Sequence, residues 1–444
     1  MPGTWTTQNK VIPGVYIRFG STQQSGITAG ERGTVAICEA LSWGEPGAIA
    51  TIEAGEDVTP YVGYDINNDN ARFLREMFKG TNRTTGASKV LLYRPAAAGA
   101  VAASVTVGNL TVTAQYVGTR GNDITTVIIA DPDTSTFTVE TIVDGVIVDQ
   151  QANITNVGDL QANAWVKFTG TGAVSATTGA ALENGANGTV SATADSSFLT
   201  ALEPYKFDVV IYDGEDATTK TAYVNFAKRM NEENGVPCQL VAANVTSPDT
   251  RYCVNVVSGA TLEDGTQLTA NQVCWWVGGA MAGATYSQSL TNANYPGAVS
   301  VANLSRSALI AALNAGQLAL QSDNGQASIV QDINSLVTYT TDISEVYRYN
   351  KTIRLCSSIA NDLYNEFSRN YIGVVNNNAN GRAMFKAAIV GYLLTIQGNE
   401  GIQNFDPADV TVEPGEAINA IVVTIAVQPV GSVEKIYVTI MMDV

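Results

Sequence analysis

Carboxylates come nearest to a reactive constellation in this sequence. Asp131 and Asp133 lie two apart with Glu140 following, and Glu232 adjoins Glu233. Paired carboxylates can divide acid and base work when both line one cleft. The first three fall in a turn and the strand after it, and Glu232-Glu233 closes a helical stretch, so both groups read as surface charge. Asp131-Pro-Asp133 also lacks the glycine and closing glutamate of a helix–loop–helix calcium loop. Gly278, Gly279 and Gly283 miss the GxGxxG spacing and sit in a helical stretch, where close packing is their expected role. Histidine is absent altogether. That excludes histidine general bases, Ser-His and Cys-His nucleophiles and histidine-ligated metals. No Gly-Lys step exists for a phosphate loop, and GxSxG is missing. Cys38, Cys238, Cys253, Cys274 and Cys356 show no CxxC spacing and read as small core residues of a chain made in a reducing cytoplasm. The expectation is a chain without catalytic residues, cofactor or metal.

The elements around these residues set the framework. Of 444 residues, 45% are hydrophobic and 15% charged, enough for more than one core, about two to four domains. The 24 Lys+Arg against 41 Asp+Glu give a net charge of −17, which disfavours nucleic acid because phosphates would be repelled. The opening MPGTWTTQNK lacks the basic and apolar regions of a secretory signal. The longest apolar run, Val273–Ala284, falls short of the roughly 20 residues of a membrane span.

Residues 1–25 read as an arm, with a turn at Pro13-Gly14 and a short alternating strand holding Val15, Tyr16, Ile17 and Phe19. Pairing within its own domain is the alternative. Residues 26–97 and 201–330 are expected to form one α/β domain. Its first part has strands at 33–38 and 89–94 and a helix from Asn70 to Lys79, with Asp69 as N-cap and Gly80 as C-terminal stop. In its second part, strands at 207–212, 239–243 and 252–257 alternate with helices at 217–234 and 269–284, a rhythm that predicts a mostly parallel sheet. Between them, residues 98–200 read as an inserted all-β domain, with Asp144-Gly145 marking a hairpin. Its 101–200 stretch holds nine acidic residues against two basic ones, which reads as a solvated surface.

Residues 331–432 predict a C-terminal α+β domain with helices near 342–371 and 382–397. A β-hairpin follows, with strand Ile418–Val427, turn Pro429–Ser432 and last strand Val433–Met442. The fold class is therefore α/β and α+β multidomain, with arms at 1–25 and 433–444. Ile436, Tyr437, Val438, Thr439 and Ile440 lie in the last strand, whose free edge could pair with another chain. Residues 346–386 hold six basic residues against two acidic ones. Arg348, Lys351 and Arg354 recur every three residues, near one helical face. With Arg382 and Lys386 they are candidates for a polar, salt-sensitive contact, the alternative being a solvated face with local ion pairs.

In order along the chain come Pro13–Ile17 (PGVYI), Tyr116–Ile124 (YVGTRGNDI), Trp276–Gly283 (WVGGAMAG) and Ser289–Thr291 (SLT). Asp332–Leu336 (DINSL), Glu345–Arg354 (EVYRYNKTIR), Tyr371–Gly373 (YIG), Asn376–Arg382 (NNNANGR) and Val427–Val438 (VQPVGSVEKIYV) follow. This ordered set resembles the contractile tail sheath family of myophages and phage-derived bacteriocins, most closely the compact sheaths of Gram-positive defective prophages. The resemblance implies hexameric discs of the chain stacked helically around a rigid inner tail tube, with baseplate and tail terminator proteins as further partners. It implies a virion tail or tail-like particle assembled in the bacterial host cytoplasm and touching a membrane only through the tube. The C-terminal domain would face the tube through the five cationic residues, the inserted domain would face outward, and both arms would add strands to neighbouring copies.

The residues themselves agree with this picture. Strand-like segments at both ends suit strand donation between chains. A head-to-tail interface that does not close yields an open helical polymer, and work drawn from two packings of one subunit needs no catalytic group. A secreted β-rich surface-layer or adhesin protein is the competing reading, favoured by the Thr/Gly-rich insertion. The missing signal and the α/β middle oppose it.

Overall fold

The structure, a computed structural model, describes residues 32–442. Its contacts divide the chain into two compact units. Among the described residues the smaller is Asp362–Val430, and the larger comprises the rest.

In the larger unit a seven-stranded sheet runs in the order Gln317–Leu318, Cys253–Val256, Gln239–Ala243, Val209–Tyr212, Thr34–Cys38, Lys89–Tyr93 and Ile49–Glu53. All neighbours are parallel except the edge strand Ile49–Glu53, antiparallel to Lys89–Tyr93. Val209–Tyr212 and Gln239–Ala243 are buried at every position, as near-continuous apolar strands covered on both faces should be. Alternate side chains serve opposite cores. Val35, Ile37, Val209 and Ile211 share one with the helices Arg72–Phe78 and Ala270–Gly283. Ala36, Val210 and Tyr212 share the other with Ala194–Leu202 and Ala217–Glu232.

The helix glycines do pack closely. A Cβ on Gly279 would lie 2.0 Å from the Met77 carbonyl oxygen, one on Gly283 2.3 Å from that of Gly86, and one on Gly278 2.5 Å from Ile211 Cδ1. Backbone oxygens cannot retreat as a side-chain tip can, so bare glycine lets this helix meet its neighbour. The Arg72–Phe78 helix departs from expectation at its start. A single 3₁₀ turn, Asp69–Ala71, precedes it, and Asn68 rather than Asp69 accepts the Asn70 amide. Gly80, at φ +69°, stops it as expected.

The insertion forms two antiparallel sheets over one core. One sheet orders Val166–Gly170, Leu110–Ala114 and Ser104–Val107; the other orders Thr177–Ala181, Ile124–Ala130, Phe137–Val143 and Val146–Ile154. Asp144 and Gly145, at φ +52° and +78°, make the expected hairpin turn. Two buried arginines fix the insertion to the sheet domain. Arg94 donates to the carbonyls of Leu41, Gly44 and Val117. Arg120 donates to the Gly63 carbonyl at 2.7 Å and grips Asp144 with both terminal nitrogens.

Residues 331–361 pack within the larger unit, so the compact division falls at Asp362, inside the Asn350–Asn370 helix, rather than at 331. Ser335 shows why: its amide donates to Cys253 O at 2.9 Å and its hydroxyl to Thr250 O at 2.8 Å. The smaller unit holds the end of that helix, the Ala379–Gly398 helix and two small two-stranded sheets. Its hairpin corrects the expected one. Ile421–Ile425 pairs with Val410–Pro414 upstream, from Val410↔Ile425 to Pro414↔Ile421, and residues 433–442 join no ladder. The turn between them begins at Pro414-Gly415 and is closed by the Gly415 amide on Ala420 O at 2.9 Å. At the expected turn, Gln428–Pro429 instead pairs with Ile402–Gln403. Among the described residues, no helix is long and apolar enough to cross a membrane.

Candidate assembly surfaces

The segment from Val433 to Met442 is extended in pattern yet unpaired. Ile436 is 79% exposed, Tyr437 90%, Val438 74% and Ile440 80%, and Thr439 is exposed beside them. Apolar side chains facing water on both sides of a β-patterned segment are an unspent interface, and the bare backbone beside them can complete another sheet. Val15, Tyr16, Ile17 and Phe19, named with this segment as strand donors, lie outside the described residues.

The smaller unit offers such a sheet. The hairpin Val410–Pro414/Ile421–Ile425 has only two strands, so each keeps an outer edge without a ladder partner among the described residues. Ile421, Val423 and Ile425 alternate with the more exposed Val422 and Thr424, as their spacing predicts. Asn377 steadies the turn, its amide nitrogen donating to Ile418 O and Ala420 O at 2.9 Å each. Beside it, Phe367 stacks on Phe385 with centroids 3.9 Å apart, and Tyr371 meets Phe385 edge-on at 5.0 Å. These rings, with Asn377, Arg382 and Ile421, line a mainly apolar cavity of about 330 Å³.

The cationic candidates separate on inspection. Arg348 lies in a 3₁₀ turn, Glu345–Arg348, before the helix begins at Asn350, so it does not share a helical face with the other two. Its guanidinium donates to Leu313 O. Arg354 corrects the expectation outright. It is 1% exposed and pairs with the equally buried Asp332 at 2.7 Å, also donating to Gln288 O at 2.7 Å. A side chain spent inside its own subunit cannot meet another protein. Lys351 is half-buried, with Nζ 3.5 Å from Ser432 Oγ. Arg382 and Lys386 belong to the smaller unit; both are half-buried, and Arg382 donates to Asn377 Oδ1 at 2.9 Å.

The carboxylates do not gather. Glu232 and Glu233 are exposed as expected, and Asp131 accepts the Asp133 amide in a tight turn. Glu140, expected at the surface, is 8% exposed and accepts from Gln150 at 2.8 Å. Of the cysteines, Cys238, Cys253 and Cys274 are buried, and burial pushes the Cys253 thiol up to about 12, leaving it a neutral packing group. Cys356 is exposed, against expectation.

A carboxyl pair that the sequence did not single out sits at the carboxyl ends of adjacent strands. Glu39 follows Thr34–Cys38, Asp213 follows Val209–Tyr212 on the neighbouring strand, and Trp275 Nε1 donates to Asp213 Oδ2 at 2.8 Å. Burial raises both, Glu39 well above the usual carboxylate range, and the Asp213 charge adds to the effect on Glu39. Such a pair favours folding fully at acid pH, where both states hold their protons. The contribution is lost as pH rises through the raised folded values, because ionisation costs more in the folded chain. Glu39→Gln should therefore gain about 1 kcal/mol over the parent at pH 7.5. Urea unfolding at several pH values reads this directly: the gain should fade toward pH 4, and a gain equal at every pH would reduce it to packing.

Four family models match consecutive stretches of the chain. Residues 32–94 match the tail sheath protein Gp18 domain III N-terminal region, and 96–187 the phage tail sheath protein beta-sandwich domain. Residues 185–335 match the phage tail sheath protein central domain, and 342–443 the phage tail sheath C-terminal domain. The phage-like element PBSX protein XkdK of Bacillus subtilis is 35% identical over 98% of both chains. The chain belongs to the phage tail sheath family. The solved sheath tail protein of Desulfitobacterium hafniense is 41% identical, with a TM-score of 0.85 over 96% of this chain and 99% of its own. That of Listeria innocua is 32% identical, with a TM-score of 0.79 over 91% and 93%. The sheath chain is thus a structural protein of a phage tail or tail-like particle. Its inserted sandwich is the sheath β-sandwich domain.

Proposed function

We propose that this chain polymerises into a sheath of helically stacked hexameric discs around an inner tail tube and contracts to drive the tube through a target envelope. The carrying observation is the Val433–Met442 segment, β-patterned, apolar and exposed, in a chain whose smaller unit keeps two-stranded sheets with open edges. A strand donated to another copy adds backbone hydrogen bonds of about 0.5–1.5 kcal/mol each. Such a joint holds while the domains around it change their packing, which contraction requires. The N-terminal strand with Val15, Tyr16, Ile17 and Phe19 is the second donor, and baseplate and terminator proteins close the ends of the polymer. Negative-stain images of the purified protein test the reading. Cylinders with helical striations are expected, whereas flat lattices would favour a surface-layer protein.

Contact with the tube falls to Arg348 and Lys351 of the larger unit and to Arg382 and Lys386 of the smaller, with Arg354 serving inside the fold. Exposed ion pairs are weak and salt-sensitive, a useful property for a contact that must break and re-form. Reversing Lys351, Arg382 and Lys386 to Glu should abolish assembly on purified tubes at about 0.15 M salt while the monomer still folds with a cooperative unfolding curve. Undiminished coating of the tubes would remove these residues from the interface.

A further inference from the structure

We propose that Glu434 is a latch, fastening the root of the C-terminal segment to its own subunit so that a pull on the residues beyond it enters the core. The source of the pull rests on the sheath reading; the latch itself is a property of one subunit. Glu434 is half-buried in a stretch whose neighbours are exposed. Its Oε1 accepts from Thr291 Oγ1 at 2.9 Å and its Oε2 from Gln331 Nε2 at 2.6 Å. Hydrogen bonds to a carboxylate are the stronger, charge-assisted kind. Beyond Glu434, residues 435–442 are exposed and make no hydrogen bond among the described residues. Beside the latch lies a polar cavity of about 400 Å³, lined by Leu313, Arg348, Tyr349 and Lys435, so close apolar packing does not hold the segment there.

The path inward is continuous. Thr291 Oγ1 also accepts the Asp332 amide at 3.0 Å, and Asp332 holds Arg354 and Asn350. Asn350 Oδ1 accepts from Gln239 Nε2 at 3.1 Å, on the inner strand Gln239–Ala243. Load on the segment therefore meets the buried pair and the parallel sheet within a few bonds.

Limited trypsinolysis after Lys435, followed by mass spectrometry of the released 436–444 peptide, reads the latch in the monomer. To enter the protease, residues around Lys435 must leave the surface, so both Glu434 bonds must open. Gln331→Leu removes one bond and leaves the cleavage site unaltered; release should quicken about tenfold. Glu434→Ala should exceed this, once its rate is corrected with synthetic peptides of residues 430–440 with and without the change. Glu434→Gln, with a single acceptor oxygen, should fall between. Rates within twofold of the parent in both Gln331→Leu and corrected Glu434→Ala would overturn the latch. A parent chain that forms no cylinders yet shows these rate changes would sink the sheath reading and leave the latch standing.

Discussion

A chain cut after Glu434 should fold as a monomer and form no ordered cylinders. The described residues among those removed, 435–442, make no ladder in their own subunit, and Ile436, Tyr437, Val438 and Ile440 are each at least 74% exposed. Their loss therefore costs the single subunit almost nothing. In the polymer the same residues would contribute a strand, several hydrogen bonds of about 0.5–1.5 kcal/mol each, together with burial of their apolar side chains at about 25 cal/mol per Å². A stack of subunits repeats that loss at every junction, so the effect on assembly is close to all-or-none. Circular dichroism melting should show the parent's midpoint, and sedimentation should show monomers only. Removing the first twenty residues tests the other donor with the same readouts. Normal cylinders from either truncated chain would end the strand-donation account.

The second large effect lies inside the subunit. Asp332→Ala should destabilise the fold by about 3–5 kcal/mol, the usual result of stranding a buried charge. Asp332 and Arg354 are each 1% exposed. The Asp332 carboxylate accepts from Arg354 and Asn350 side chains and from the Leu290 amide at 2.7–3.0 Å. Arg354 has no reserve, since its Nε and Nη1 are buried without a hydrogen-bond partner. Taking away the carboxylate leaves a guanidinium with only its bond to Gln288 O. The double change Asp332→Leu with Arg354→Met should recover most of the loss, because two packed apolar side chains leave no charge to solvate. Arg354→Lys should not rescue, as an ammonium cannot span the same acceptors. Urea unfolding of the single and double variants decides it. Additive losses would mean that the two residues act separately.

Much of this fold was legible because it is written in local periods. Val209–Tyr212 and Leu240–Ala243 announce buried parallel strands by apolar runs, and the helix between them by its spacing. Asp144-Gly145 supplies the positive φ that a tight hairpin needs, and Gly278, Gly279 and Gly283 mark a helix that meets its neighbours without side chains. The ordered runs from Pro13 to Val438 carried the sheath resemblance, which the family models bear out.

Partner choice was another matter. A spacing of three residues puts Lys351 and Arg354 near one side of a helix but cannot say that Asp332 waits there, turning a presumed contact into a buried pair. Glu39 and Asp213 look unremarkable until parallel pairing of their strands sets the carboxyls side by side and burial alters their proton affinity. Ile421–Ile425 was expected to pair downstream, yet Val410–Pro414 lay upstream. The upstream strand paired, and the downstream segment, Val433–Met442, was left bare. Alternation fixes which side chains share a face, whereas the strand they pair with depends on turns and on everything else already packed. Local chemistry thus determined the elements; which groups met was decided by long-range packing, where desolvation makes a charge or an open edge either costly or useful.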